Sequence, residues 1–255
     1  MKKEDFAAAI NEISPLELAE EWDNCGWQIN LAAGDVKKVL VCLDVCDATV
    51  DEAIEKGCDV VLSHHPLLFN AAKCIDMADP KGRYVIKLIQ NGISCFAAHT
   101  CFDSADGGNN DYILKAVGVS SPEKFCGNIC RAGMLDEPVS MKEFAARIEA
   151  ACMGGVVKYS GDPDRIIKKA AVCTGAGGDF IYDAVKEGVD CFISGEFKHH
   201  ELIYAKDCGI CVADAGHYGT EFCFVENMAS QLEALGAGLE IIRTEKEFNP
   251  VPNSR

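Results

Sequence analysis

The chain has 255 residues, is 49% hydrophobic and 25% charged, and carries a formal net charge of −16. That length allows one large or two smaller domains with ample core. The acidic balance argues against direct DNA or RNA binding, which needs clustered Lys and Arg, and no run reaches the roughly 18 apolar residues of a membrane span.

The opening Met1-Lys-Lys-Glu-Asp-Phe6 lacks the apolar stretch of a secretory signal, so a cytoplasmic location is expected. Fifteen cysteines fit a reducing compartment, because Cys42, Cys95, Cys173, Cys191 and Cys211 lie inside apolar runs and read as small buried hydrophobes. Cys208 and Cys211 have CxxC spacing, but no second pair accompanies them, so they read as structural.

Phe6, Ala7, Ile10, Ile13, Leu16 and Leu18 predict an amphipathic first helix, broken near Pro15. Glu21-Trp-Asp-Asn-Cys-Gly-Trp-Gln28 reads as a polar, aromatic loop with a turn at Asp23-Asn24. A strand over Lys37–Asp44, a helix over Ala48–Lys56 capped by Gly57, and a strand over Asp59–Ser63 make a βαβ unit, hence a parallel sheet with a right-handed crossover. A helix over Gly82–Gln90 and a strand up to His99 follow. The loop from Thr100 to Asp111 is polar and acidic, and a helix opens near Asn110 or Asp111. Ser120–Glu123 reads as a connector. Ser140-Met-Lys-Glu143 is a capping box that opens a helix through Met153. Lys168–Cys173 begins a second βαβ unit, Thr174-Gly-Ala-Gly-Gly178 is a tight turn rather than a phosphate loop, and the chain ends with a helix over Gly219–Leu235 and a strand over Gly238–Arg243.

The second unit repeats the first. A shift of 131 residues puts Lys37-Lys38 on Lys168-Lys169, Val41-Cys42 on Val172-Cys173, Gly57 on Gly188, Asp59 on Asp190 and Ser63 on Ser194, without a gap. The fold class expected is therefore α/β, with two similar, intertwined subdomains from an internal duplication and the metal site in the cleft between them. The first subdomain takes residues 1–125 plus about 220–255, and the second about 126–219.

All six histidines follow short apolar runs and lie near carboxylates: His64, His65, His99, His199, His200 and His217. Open α/β sheets bind ligands beyond the carboxyl ends of their strands, so this placement predicts one shared site on a sheet rim, outside the core. His217 and Glu221 are four apart at a helix start and share a face, and Asp103 follows His99 by the same interval. Imidazoles with carboxylates suit zinc, iron, manganese, cobalt or nickel. Three histidines and two carboxylates exceed the usual set of one catalytic zinc and fit two divalent ions. A serine-based triad is disfavoured, because no serine sits in a GxSxG elbow.

Ser63-His-His-Pro66, His99-Thr-Cys-Phe-Asp103, Gly107-Gly-Asn-Asn-Asp111, Gly195-Glu-Phe-Lys-His-His200 and His217-Tyr-Gly-Thr-Glu221 together resemble the motif series of the Nif-three-like proteins, also known as GTP cyclohydrolase 1 type 2 homologues. Glu21–Gly26 and Thr174–Gly178 match further motifs, so the resemblance spans nearly the whole chain. It implies a dinuclear metal centre with ligands His64, His65, Asp103, His217 and Glu221, two similar subdomains, and a ring-shaped homohexamer. It implies no inserted regulatory domain at this length. Cys101 stands where the family more often has Asn. His99, Glu196, His199 and His200 are the acid–base candidates beyond the ligands. The expected function is metal-dependent hydrolysis of a small molecule such as a nucleotide, GTP cyclohydrolase-like by resemblance. The alternative is a non-catalytic metal-binding scaffold or regulator acting as a ring.

Overall fold

The computed structural model describes residues 1–31, 34–152, 156–236 and 238–251. In chain order the elements are α1 (Lys3–Ile13), β1 (Gly26–Ile29), β2 (Lys38–Cys42), α2 (Asp47–Lys56), β3 (Val60–Ser63), α3 (Pro80–Gln90), β4 (Ser94–Ala97), α4 (Thr100–Ser104), α5 (Asn109–Ala116), β5 (Glu123–Phe125) and β6 (Cys130–Ser140). They continue with α6 (Met141–Ala151), β7 (Lys158–Ser160), β8 (Ile166–Cys173), α7 (Ile181–Lys186), β9 (Cys191–Ser194), α8 (His199–Asp207), β10 (Cys211–Asp214), α9 (His217–Glu221), α10 (Cys223–Ala234) and β11 (Glu240–Arg243). Met153, where the sequence reading ends α6, lies outside the described residues.

Two compact units result. The first is Met1–Ala105 with Phe224–Phe248, and the second is Asp106–Cys223 with the chain end from Asn249. The first crossing thus falls between Ala105 and Asp106, where the sequence reading put it near residue 125. The physical reason is α5: Ile113, Leu114 and Val117 bury their apolar face in the same core as Phe144, Ile148 and Val172 of the second unit.

The first unit is a five-stranded sheet in the order β1-β4-β3-β2-β11. Strands β4, β3, β2 and β11 run parallel, and β1 closes the edge antiparallel to β4. Alternation along each strand feeds two cores. Val39, Val41, Val60, Leu62 and Phe96 meet Phe6, Ile10, Phe224 and Met228 on one face, while Leu40, Val61 and Cys95 meet Val50, Ala53 and Leu88 on the other. Helices cover both faces, as a buried parallel sheet requires.

The second unit is built alike, around β8-β9-β10 in a six-stranded sheet of order β5-β6-β8-β9-β10-β7. The repeat extends to single hydrogen bonds. Asp59 Oδ2 accepts the Lys37 and Lys38 amides at 2.8 and 2.9 Å, and Asp190 Oδ2 accepts those of Lys168 and Lys169 at 2.9 and 3.0 Å. Lys38 Nζ donates to the Lys56 carbonyl, and Lys169 Nζ to that of Glu187. Cys42 pairs with Ser63 as Cys173 does with Ser194. Each pair of positions is 131 residues apart, so the duplication is one of structure as well as sequence.

Strands β1 and β6 depart from the sequence reading. Gly26–Ile29 overlaps the expected loop over Glu21–Gln28 but is an edge strand; its glycine and the polar Gln28 leave too short an apolar run to read. In β6, Gly133 and Pro138 interrupt the pattern, and Pro138 sits where the register breaks between Met134 and Val139. The reading of Gly219–Leu235 as one helix also changes, because Phe222 separates α9 from α10. All fifteen cysteines are free thiols, and the five read as buried are buried. No helix among the described residues is long and apolar enough to cross a membrane.

Candidate metal centre

In the first unit the carboxyl ends of three neighbouring parallel strands deliver the polar groups. Asp44 follows β2, His64 and His65 follow β3, and His99 follows β4 and caps α4. The His64 and His65 amides still donate to Cys42 and Leu43 at 3.1 and 3.0 Å, so the strand pairing carries on into the site until Pro66 ends it. One turn into α4 is Asp103, whose amide donates to the His99 carbonyl.

The nitrogens of His64, His65 and His99 come within 4.8 Å of one another, close enough for one ion. Asp103 Oδ2 is 3.5 Å from His64 Nε2. Each ring is held from behind. His64 Nδ1 lies 2.9 Å from the Ala98 carbonyl, His65 Nδ1 2.9 Å from Asp44 Oδ1, and His99 Nδ1 2.9 Å from Asp23 Oδ1. An oxygen that only accepts fixes the proton on Nδ1 and leaves the Nε2 lone pair for a cation, which is how metal-binding histidines are usually oriented. Asp23 is itself anchored by the Thr100 amide and hydroxyl, at 3.1 and 2.5 Å. Burial works to raise its carboxyl, but the donors from His99, Cys25 and Thr100 prevail and hold it well below the usual carboxylate range.

The expectation that these groups lie outside the core needs correction for His64. That side chain is fully buried, with its ring centroid 4.9 Å from that of Phe224. A strand-end histidine is exposed only if nothing packs over it, and here α10 does.

In the second unit α9 opens with His217 and carries Glu221 one turn later, so both face the same way. His217 Nε2 is 2.9 Å from Glu221 Oε2, and its Nδ1 is 2.7 Å from Glu196 Oε1. Glu196, an acid–base candidate from sequence, therefore sits behind a histidine as Asp44 and Asp23 do. The glycine turn after β8 packs directly beneath. Its Gly175 amide donates to Thr220 Oγ1, and a Cβ on Gly175 would lie 2.0 Å from Glu221 Oε1. Gly195 occupies the position that His64 holds in the first unit. A Cβ there would lie 2.6 Å from the His217 Cα, so only glycine lets the two backbones meet.

His199 and His200 lie elsewhere. Both are exposed in the first turn of α8; His199 lines a groove with Arg165 and Lys206, and His200 Nε2 is 3.9 Å from Glu201. The Gly107–Asp111 motif is architectural. Asp111 bonds buried Arg131 at 2.7 Å and the Gly107 amide at 2.6 Å. Asn110 ties Ile129 to Thr174, at 2.7 and 2.8 Å. Sequence reasoning missed Asp44 and Asp23 as histidine partners. The signal was present: Asp44 ends the strand next to His64-His65, and Asp23 sits in the Trp-Asp-Asn turn.

Two sheets of one duplicated design, with imidazoles and carboxylates on their strand ends, define an α/β protein bearing donor groups suited to a transition metal. Imidazole and carboxylate are ordinary ligands for such ions, and the residues fit one. Over residues 1–250 the sequence matches the family described as Duf34/NIF3 (NGG1p interacting factor 3), and the chain belongs to that family. A GTP cyclohydrolase 1 type 2 homolog from Clostridium acetobutylicum is 32% identical, with 98% of each chain covered. Among solved structures, reduced HcgD from Methanocaldococcus jannaschii is 27% identical with a TM-score of 0.82, covering 95% of this chain and 97% of that one. A hypothetical protein from Staphylococcus aureus shares the fold at a TM-score of 0.92 and 24% identity, covering 100% and 99%.

Proposed function

We propose that this chain binds two divalent metal ions and hydrolyses a nucleotide-like small molecule. In this reading His64, His65 and Asp103 of the first unit and His217 and Glu221 of the second are the ligands. The observation that carries it is the shared arrangement of four histidines, each with Nδ1 tied to an oxygen 2.7 to 2.9 Å away. Histidines that serve only packing have no need of that common support behind the ring. A bound divalent ion would polarise substrate oxygen and lower the pKa of water toward about 7.

The chain's own groups have defined tasks. Asp44, Asp23 and Glu196 hold the rings of His65, His99 and His217. His99 has an Nε2 that can take up or return a proton near the ligands. The names of the curated relatives make GTP the first substrate to try. The expected products are ring-opened nucleotide and formate, and the assembly is a homohexamer.

Elemental analysis of the purified protein should give close to two metals per chain. Formate release from GTP should fall to background in His65→Ala. If the loaded protein turns over neither GTP nor any phosphoester above that variant, a non-catalytic metal-binding scaffold becomes the better reading.

A further inference from the structure

Two large aromatic side chains stand in solvent beside the imidazole triad of the first unit. Trp22 is 60% exposed and Phe69 is 42% exposed. Their ring centroids are 5.9 Å apart, and each is 6.2 Å from that of His99. The interplanar angles are 67°, 77° and 82°, so the three rings stand nearly perpendicular to one another. A planar ligand stacked on one of them presents its face there and its edges to the other two, the arrangements that aromatic pairs favour.

The two loops that carry these rings are fixed to each other. Asn24 Nδ2 donates to the Leu68 carbonyl at 2.8 Å, and Gln28 Oε1 accepts the Leu68 amide at 3.0 Å. Gln28 Nε2 closes the set by donating to the Asn24 carbonyl at 2.6 Å. Trp22 also precedes Asp23, which is locked to His99 and Thr100. A surface built this rigidly loses little entropy when a ligand arrives.

We propose that Trp22 and Phe69 form a stacking platform for the uncharged, planar base of a purine nucleotide, with His99 at its edge. This names the ligand class within the nucleotide reading above and rests on it. Charge favours a base as the handle: a chain of net charge −16 repels polyphosphate, whereas a neutral ring pays no such cost. The same charge disfavours a nucleic-acid strand as the occupant.

The test is a titration of the purified full-length protein with GTP and with inorganic tripolyphosphate, which lacks the base, read by tryptophan fluorescence. The only other tryptophan, Trp27, packs against Phe96 and Phe6, and Trp22→Phe reports its signal for subtraction. GTP should quench Trp22 saturably and tripolyphosphate should not. Trp22→Ala and Phe69→Ala should each weaken GTP about ten-fold or more, the range base–aromatic stacking provides, with metal content unchanged. Equal GTP affinity in wild type and both variants overturns the platform, as does an absence of quenching in wild type. Loss of oligomeric mass in Trp22→Ala with GTP affinity intact also overturns it, in favour of self-association. Formate release separates this proposal from the one beneath it. Turnover with an unchanged KM in both variants refutes the platform alone, whereas quenching without turnover refutes the hydrolase reading alone.

Discussion

Replacing Gly175 by alanine perturbs the second-unit donors His217 and Glu221 without replacing either of them. Gly175 has φ of +63°, and its Cβ would lie 2.0 Å from Glu221 Oε1 and 3.4 Å from His217 Nε2. Two costs arise. An L-residue in the left-handed region costs roughly 1–2 kcal/mol. The carboxylate must also retreat by roughly 1 Å or more to reach ordinary contact distance, which weakens its 2.9 Å approach to His217; a hydrogen bond to a charged group contributes about 1.5–3 kcal/mol when well buried, and His217 is partly exposed. The sum is about 2–3 kcal/mol, a fall in Tm of about 5–10 °C for a chain of this length. Gly188→Ala isolates the first cost, because Gly188 has φ of +72° and nothing within 4 Å of a new Cβ. It should lose only about 1 kcal/mol and bind metal as the wild type does. Gly175→Ala should bind divalent metal about 10- to 100-fold more weakly, as when a metal ligand loses its support. Calorimetric melting of the apoprotein and metal titration of both variants provide the comparison. Equal metal affinity in the two alanine variants would refute the argument, since strain alone would then account for Gly175.

Other changes separate structural from chemical roles. His217→Ala should lose bound metal and, with its 2.9 Å contact to the buried Glu221, about 1–2 kcal/mol of stability, whereas His64→Ala should lose metal and about 2–4 kcal/mol, because its ring is wholly buried against Phe224; elemental analysis beside a urea melt reads both. Arg131→Met should cost about 3–5 kcal/mol by urea denaturation, since it leaves the Asp111 carboxylate buried without its cation. Burial pushes the Glu247 carboxyl up to about 7, against the Leu43 and Asp44 amides that donate to it. With a folded pKa above its unfolded value, the native state binds more protons in that window, so this group's contribution to stability falls as pH rises from about 4.5 to about 7. Glu247→Gln should flatten that part of the stability–pH curve, and an unchanged slope would count against the burial argument.

The sequence by itself determined the repeat and the metal-type residues. Strand, helix and glycine cap recur 131 residues apart because the same buried parallel strands and the same left-handed turn are needed twice, and such needs are local. Histidines at strand ends were legible for the same reason: Pro66 halts β3, and Asp103 and Glu221 follow His99 and His217 by four residues, although only the structure turns Thr100–Ser104 from the expected loop into α4. Only the tertiary structure decided what stands behind and around them. Asp44 and Asp23 reach His65 and His99 across 21 and 76 residues, and no spacing rule connects them. His199 and His200 have the same composition as His64-His65 but begin a helix in solvent, because burial depends on what packs over a position. Glycine behaved likewise. Gly188 was readable as a helix cap from its neighbours, whereas Gly195 is required by the backbone of His217, which only folding brings against it.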